Sequence, residues 1–219
     1  MNILCIETSA ALCSVAVIKE DQQFYLESEL SMAHSEVLMG LVIDCLDKAG
    51  CKMNDLNAIA LSGGPGSYTG LRIGCSSVKG LCFGLNIPLI VIDTLKIIAN
   101  AAKKKTSDYT HYWAMIDARR MEVYHALFDQ NLNQITETVN AILSDEDFKP
   151  NNLSTQVILC GDGAPKSTNI LNLPDANVVA NADSMCDLAR QAYLNSEFKE
   201  LAYFEPFYLK QANITVSKS

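Results

Sequence analysis

The chain has 219 residues, 49% of them apolar, and 17 basic against 25 acidic side chains give a formal net charge of −8. That length holds core for one large domain or two small ones. The charge argues against a protein that binds nucleic acid by itself, because neutralising phosphates takes clustered Lys and Arg.

The eight cysteines are scattered without a CxxC pair, mostly inside apolar runs such as Ile3-Leu4-Cys5-Ile6 and Val157-Ile158-Leu159-Cys160. They read as buried thiols in a reducing cytosol, not as disulfides or zinc ligands. No run approaches the roughly 20 apolar residues of a membrane span, and the opening residues lack a leader pattern. The expectation is a cytoplasmic protein with no membrane partner.

In chain order, apolar spacing predicts strands over Asn2 to Glu7, Cys13 to Lys19 and Gln23 to Glu29, then a helix from about Ser35 to Lys48. A strand over Asn57 to Ser62 leads into Gly63-Gly64-Pro65-Gly66-Ser67-Tyr68-Thr69-Gly70-Leu71-Arg72-Ile73-Gly74, with five glycines and a proline in twelve residues. Helical spacing follows from about Thr69 to Leu85, then a strand over Pro88 to Ile92 and a helix from Leu95 to Lys104. Three strands followed by alternating helices and strands is the pattern of a ribonuclease H-like α/β layer.

The glycine loop precedes a helix N-terminus and so could bind phosphate, or it could be a tight turn that seats the helix closely. GxGxxG and GxxxxGK[ST] are both absent and no Lys lies in the loop, which favours the turn, with Ser67 or Thr69 as a helix cap. The basic run Lys103-Lys104-Lys105 reads as a solvated helix end whose cations suit the dipole.

After the weak linker Thr106-Ser107-Asp108 the meander recurs. Strands are predicted over Tyr112 to Asp117, Glu122 to Asp129 and Gln134 to Val139, then Val157 to Cys160, a helix near Lys166 to Leu171, a strand at Val178-Val179-Ala180 and a helix from Ser184 to about Leu194. Ile6-Glu7-Thr8-Ser9 parallels Ile116-Asp117-Ala118-Arg119, a weak internal repeat. The predicted fold is α/β, with two stacked ribonuclease H-like domains of the actin, heat-shock chaperone and sugar-kinase superfamily. Residues 1–105 form the first and 106–219 an abbreviated second, and the residues 211–219 are polar enough to be disordered or to fold on a partner.

Taken together, the opening Met1 to Ser9 with Cys13 to Ala16, His34-Ser35, the whole glycine loop, Ile116 to Arg119 with Glu122 to Tyr124, and Glu205-Pro206-Phe207-Tyr208-Leu209 resemble the bacterial TsaB family, also called YeaZ. The resemblance spans nearly the full chain. It implies a role in forming N6-threonylcarbamoyladenosine at position 37 of tRNAs that read codons starting with A. In that pathway TsaD transfers the threonylcarbamoyl group, TsaB is its non-catalytic partner and the small ATPase TsaE joins them. It also implies that tRNA is met only through the complex, that the chain alone forms a homodimer, and that it binds no cofactor firmly, with the complex interface a candidate place for ATP and magnesium.

The residues offer little for autonomous catalysis. The sister transferase carries an HxxxH metal pair whose positions here fall on Thr94 and Ile98, and His34, His111 and His125 lie far apart, so no catalytic residue and no metal ligand is assigned. No GxSxG elbow marks a hydrolase nucleophile. A glycoprotease-like hydrolase or a nucleotide phosphotransferase stays the alternative. Its strongest support is a candidate vestigial nucleotide or metal cleft of Glu7, Thr8, Ser9, Asp117 and Arg119, although strand-end acids more often cap turns or pair with an Arg such as Arg119 or Arg120.

The first helix, with Val37, Leu38, Met39, Leu41, Val42, Ile43, Cys45 and Leu46, lacks a clean polar stripe. It is either sandwiched in its own domain or covered by another chain, and the second is preferred. The second helix has a small face that lets a neighbour approach closely. The expected partner interface is Val37, Leu38, Leu41, Val42, Cys45, Gly70, Ile73, Gly74, Ser77, Gly80 and Gly84.

Overall fold

A computed structural model describes residues 1–106, 108–143 and 156–209. The expectations for Ser107 and for residues 211–219 lie outside the described residues.

The first sheet is built from β1 (Asn2–Glu7), β2 (Ser14–Lys19), β3 (Gln22–Glu27), β4 (Ala58–Ser62) and β5 (Leu89–Ile92), in the order β3-β2-β1-β4-β5. β1 to β3 form an antiparallel meander, and β4 and β5 add in parallel on the other side of β1. The runs Ile3 to Ile6 and Ala58 to Leu61 are buried on both faces, which is why they are continuously apolar and not alternating.

Helices α1 (His34–Ala49) and α2 (Tyr68–Leu85) cover one face of this sheet. The other face meets α5 (Ala182–Leu194), whose Ala182, Met185, Cys186 and Ala189 are buried. Helix α3 (Thr94–Lys105) packs on α5 and on the second sheet. That sheet runs β8 (Val139–Ile142), β7 (Glu122–Asp129), β6 (His111–Asp117), β9 (Val157–Cys160), again a meander with a parallel strand added beside its first member. The second order repeats the first with one strand fewer. The four-residue α4 (Thr168–Leu171) lies on its outer side with Leu143, Leu159 and Trp113.

One apolar cluster joins the two sheets. Ile3, Cys5 and Ile18, Ile97 and Ile98 of α3, Met185 of α5, and Tyr112 and Phe128 all belong to it. Polar ties close the same seam. Lys104 pairs with Asp187 at 2.8 Å, and Asn100 donates to the Ser184 carbonyl at 2.7 Å. Lys104 is therefore a link to α5 as well as a helix-end cation, which corrects the reading of this run as merely solvated.

Two predicted strands move. The third strand of the second meander is Val139–Ile142, and Gln134 contributes only an isolated bridge to Phe128, because Asp129 draws Asn131 and Asn133 into a turn through their backbone N–H groups. Val178 to Ala180 forms no ladder. Its Val178 carbonyl accepts from Gly161 N and Asp175 makes one parallel bridge to Leu159, so this stretch borders β9 irregularly. The helix expected from Lys166 shrinks to Thr168–Leu171, stopped by Asn172 at φ +54.

Candidate functional site

Four amides of the glycine loop bond inside the chain. Gly63 N donates to the Ile92 carbonyl at 2.8 Å, Gly64 N to Thr94 Oγ1 at 3.1 Å and Ser67 N to the Ser9 carbonyl at 2.9 Å. Gly70 N donates to Ser67 Oγ at 3.3 Å, which makes Ser67 the N-cap of α2. A phosphate would have to compete with each of these bonds, so the loop is built as a turn. The glycines permit close approach. A side chain at Gly66 would strike Ser9, and one at Gly70 or Gly74 would strike Thr8.

A segment the sequence offered no spacing signal for braces the loop from outside. Lys199 bridges to Leu89, Leu201 and Phe204 pack on the α1–α2 side, and Phe207 N donates to the Gly63 carbonyl at 2.7 Å. The Tyr208 ring stands 4.9 Å from Tyr68, over which Arg72 lies at 4.0 Å. Glu205 to Tyr208 had stood out only through the family resemblance.

Glu7 and Asp117 are not paired around a common centre. Glu7 is fully buried, and its Oε1 accepts from both Ser9 N and Ser9 Oγ at 2.5 Å. Burial raises its pKa, opposed by the Ser9 hydroxyl and amide and by nearby Ser62. Glu7 Oε2, Thr8 Oγ1 and Ser62 Oγ have no hydrogen-bond partner among the described residues. Asp117 instead pairs with Lys166 at 2.6 Å and accepts from Arg119 N at 2.7 Å, while its own N–H donates to Asp162 Oδ1. Its counter-ion is thus Lys166 and not the Arg119 or Arg120 side chain, a correction that sequence separation had hidden.

Between the two loops lies a cleft lined by Ser9, Ala10, Thr94, Ile98, Ile116, Asp162, Val179 and Ala180, with a volume of about 10 Å³. That is room for about one water, far from the roughly 300 Å³ at which small-molecule sites begin. Thr94 and Ile98, the positions aligned with the transferase histidines, face this cleft. The histidines themselves stay apart. His34 bonds the Ala10 carbonyl, His111 meets Thr110 Oγ1 and His125 accepts from Trp113. No group of three or more His, Cys, Asp or Glu that could hold a metal occurs among the described residues.

The helix pair divides the expected interface. Leu38, Val42 and Cys45 are at most 2% exposed and belong to the core under α1. Gly70 and Gly74 are buried against Thr8. These five are corrected from interface to core, since helical spacing gives the faces but not which one meets the sheet. Val37, Leu41, Ile73 and Ser77 are half-buried at the boundary. The outward surface carries Met39, Gly40 and Ile43 of α1 with Gly80, Phe83 and Gly84 of α2. Phe83 is 82% exposed, and nothing lies within 4 Å of where a Cβ would stand on Gly40, Gly80 or Gly84.

This architecture has close relatives. The TsaB protein of Escherichia coli K12, named a tRNA threonylcarbamoyladenosine biosynthesis protein, is 33% identical over 96% of this chain and 95% of its own. The chain belongs to the TsaB family. The Haemophilus influenzae TsaB is 27% identical over 96% and 94% of the two chains. The solved structure titled YeaZ from Pseudomonas aeruginosa superposes with a TM-score of 0.84 at 26% identity, covering 95% of this chain and 99% of that one. A family model described as TsaD, tRNA N6-adenosine threonylcarbamoyltransferase, matches residues 28–215. No helix among the described residues of this TsaB-family chain is long and apolar enough to cross a membrane.

Proposed function

We propose that this chain is the non-catalytic subunit of a complex that transfers a threonylcarbamoyl group to adenosine 37 of tRNA, docking on a TsaD transferase through α1 and α2. The observation that carries this reading is the outward helix surface, where Phe83, Ile43 and Met39 stand exposed beside Gly40, Gly80 and Gly84. Apolar side chains interleaved with open backbone suit a partner helix that approaches closely. A TsaE ATPase joins the pair, tRNA is met in the assembled complex, and the chain alone closes the same surface as a homodimer.

The two strand orders support two ribonuclease H-like domains of the actin-like superfamily, 1–105 and 106–219. In this reading the chain holds no nucleotide firmly by itself, any ATP and magnesium sitting at the complex interface, and the internal bonds of Gly63, Gly64 and Ser67 N go with that. Cytoplasmic placement goes with a tRNA substrate.

The test is threonylcarbamoylation of tRNA in a mixture of synthase, TsaD and TsaE with and without this chain. Product only when the chain is present supports the reading. Product in its absence refutes the scaffold role, and product without TsaD makes the chain catalytic.

A further inference from the structure

The hairpin between β6 and β7 is built against local preference. Arg119 and Arg120 have φ of +70° and +51°, the only consecutive non-glycine pair at positive φ among the described residues. Left-handed backbone is disfavoured for a residue with a Cβ, which is why such turns favour Asn and Gly. Asn86, Asn172, Asn177 and Gly50 follow that preference, and Glu20, Met32, Leu132 and Ser196 depart from it only as single residues.

Lys166 holds the turn in this shape from beneath. Its Nζ donates to the Glu122 carbonyl and Asp117 Oδ1 at 2.6 Å and to the Arg120 carbonyl at 3.1 Å, and Asp117 Oδ1 also accepts from Arg119 N. Three elements of the second sheet region thus fix a turn whose tip side chains are both exposed. No ion pair takes either guanidinium among the described residues. Strained backbone over-determined by its surroundings, presenting charge that no ion pair among the described residues takes up, points to a ligand contact rather than a packing need.

We propose that Arg119 and Arg120 form a preorganised contact for the RNA phosphate backbone. This rests on the reading above, in which the complex handles tRNA. A planar guanidinium matches phosphate oxygens with two donors, and fixing the turn in advance removes the ordering cost that flexible surface arginines carry. In a chain of net charge −8 two arginines cannot hold RNA alone. They add two anchored contacts to a complex that binds RNA elsewhere as well.

The test uses the assembled complex of this chain with TsaD and TsaE, and unmodified tRNA, by fluorescence anisotropy across a salt series. The variant R119N/R120G supplies residues that favour positive φ, so the turn survives and only the charge is lost. Its melting temperature should equal or exceed that of the parent. Its tRNA affinity should fall at least about tenfold, and the slope of log affinity against log salt should shrink by about 1.4 to 1.8, two phosphates' worth. R119K/R120K, which keeps the charge, should retain most of the slope and lose part of the affinity.

Unchanged tRNA affinity and slope in a fully assembled R119N/R120G complex overturn the proposal. Loss of TsaD or TsaE binding with normal RNA affinity in whatever complex forms also overturns it and assigns the arginines to protein carboxylates. Threonylcarbamoylation by the parent complex, compared with a mixture lacking the chain, checks the underlying reading separately.

Discussion

Trp113 donates its indole N–H to Nδ1 of His125 at 3.0 Å, with the two rings edge to face at 5.6 Å. The acceptor nitrogen must be bare, so the imidazole is neutral with its proton on Nε2. Burial lowers the His125 pKa from 6.5 to about 4. In the unfolded chain the ring titrates normally, so between those values the unfolded state binds the extra proton. This contribution to stability is therefore full above pH 6.5 and lost as pH falls to about 4, approaching about 3 kcal/mol. Glu7, raised by burial, acts in the opposite sense and stabilises at low pH. Denaturant titrations at pH 7 and 4.5 should show a larger drop for the parent than for H125Q. Trp113 is the only tryptophan, so its fluorescence should report the protonation directly.

Glycines in α2 should separate sharply by side. G70A drives a methyl into the Thr8 backbone and should destabilise by about 1–3 kcal/mol or more, because a carbonyl cannot step aside. G80A and G84A meet open space and should be neutral or stabilise by up to about 1 kcal/mol through helix propensity. G80L and G84L should keep the melting temperature and weaken TsaD binding or self-association. Equal destabilisation by G70A and G80A in thermal melts would contradict this division of the helix.

Charge on the outer face tests docking without unfolding. M39E/I43E and F83E should give folded monomers by light scattering that no longer retain TsaD in a pull-down. V42E, by contrast, buries an unpaired carboxylate in the core and should fail to fold. Dimers persisting in both outward variants would move the interface elsewhere.

All eight cysteines are buried. Burial pushes the Cys13 and Cys82 thiols up to about 12 and Cys45 to about 11, so almost no thiolate is available at neutral pH. A thiol-disulfide reagent should label the native chain slowly and all eight sites in guanidinium. Fast labelling of any native thiol would show that its cover opens.

Much of the first sheet was legible because β1, β2 and β4 are buried on both faces and the sheet is bounded by Glu20-Asp21, Gly50 and the glycine loop. The second was harder to read. Gln134 to Val139 has strand-like composition, yet the Asp129 turn takes up the residues that would pair, and a hydrogen-bonded turn leaves no periodic trace. For the site, the glycines announced close approach but not against what, since Thr8 is some sixty residues away. What Lys166 and the Lys199 to Tyr208 segment contact was hidden for the same reason. Their partners are set by tertiary contact, whereas periodicity records only which residues avoid water.

The hydrogen bond from Phe207 to Gly63 has a consequence for biosynthesis. On a ribosome the glycine loop emerges long before the segment that closes it, and pairing so distant in sequence is slow to form. Until Phe207 arrives, the turn that seats α2 lacks one of its hydrogen bonds. On the proposed docking through α2, a chain cut before Phe207 should therefore compete poorly for the transferase.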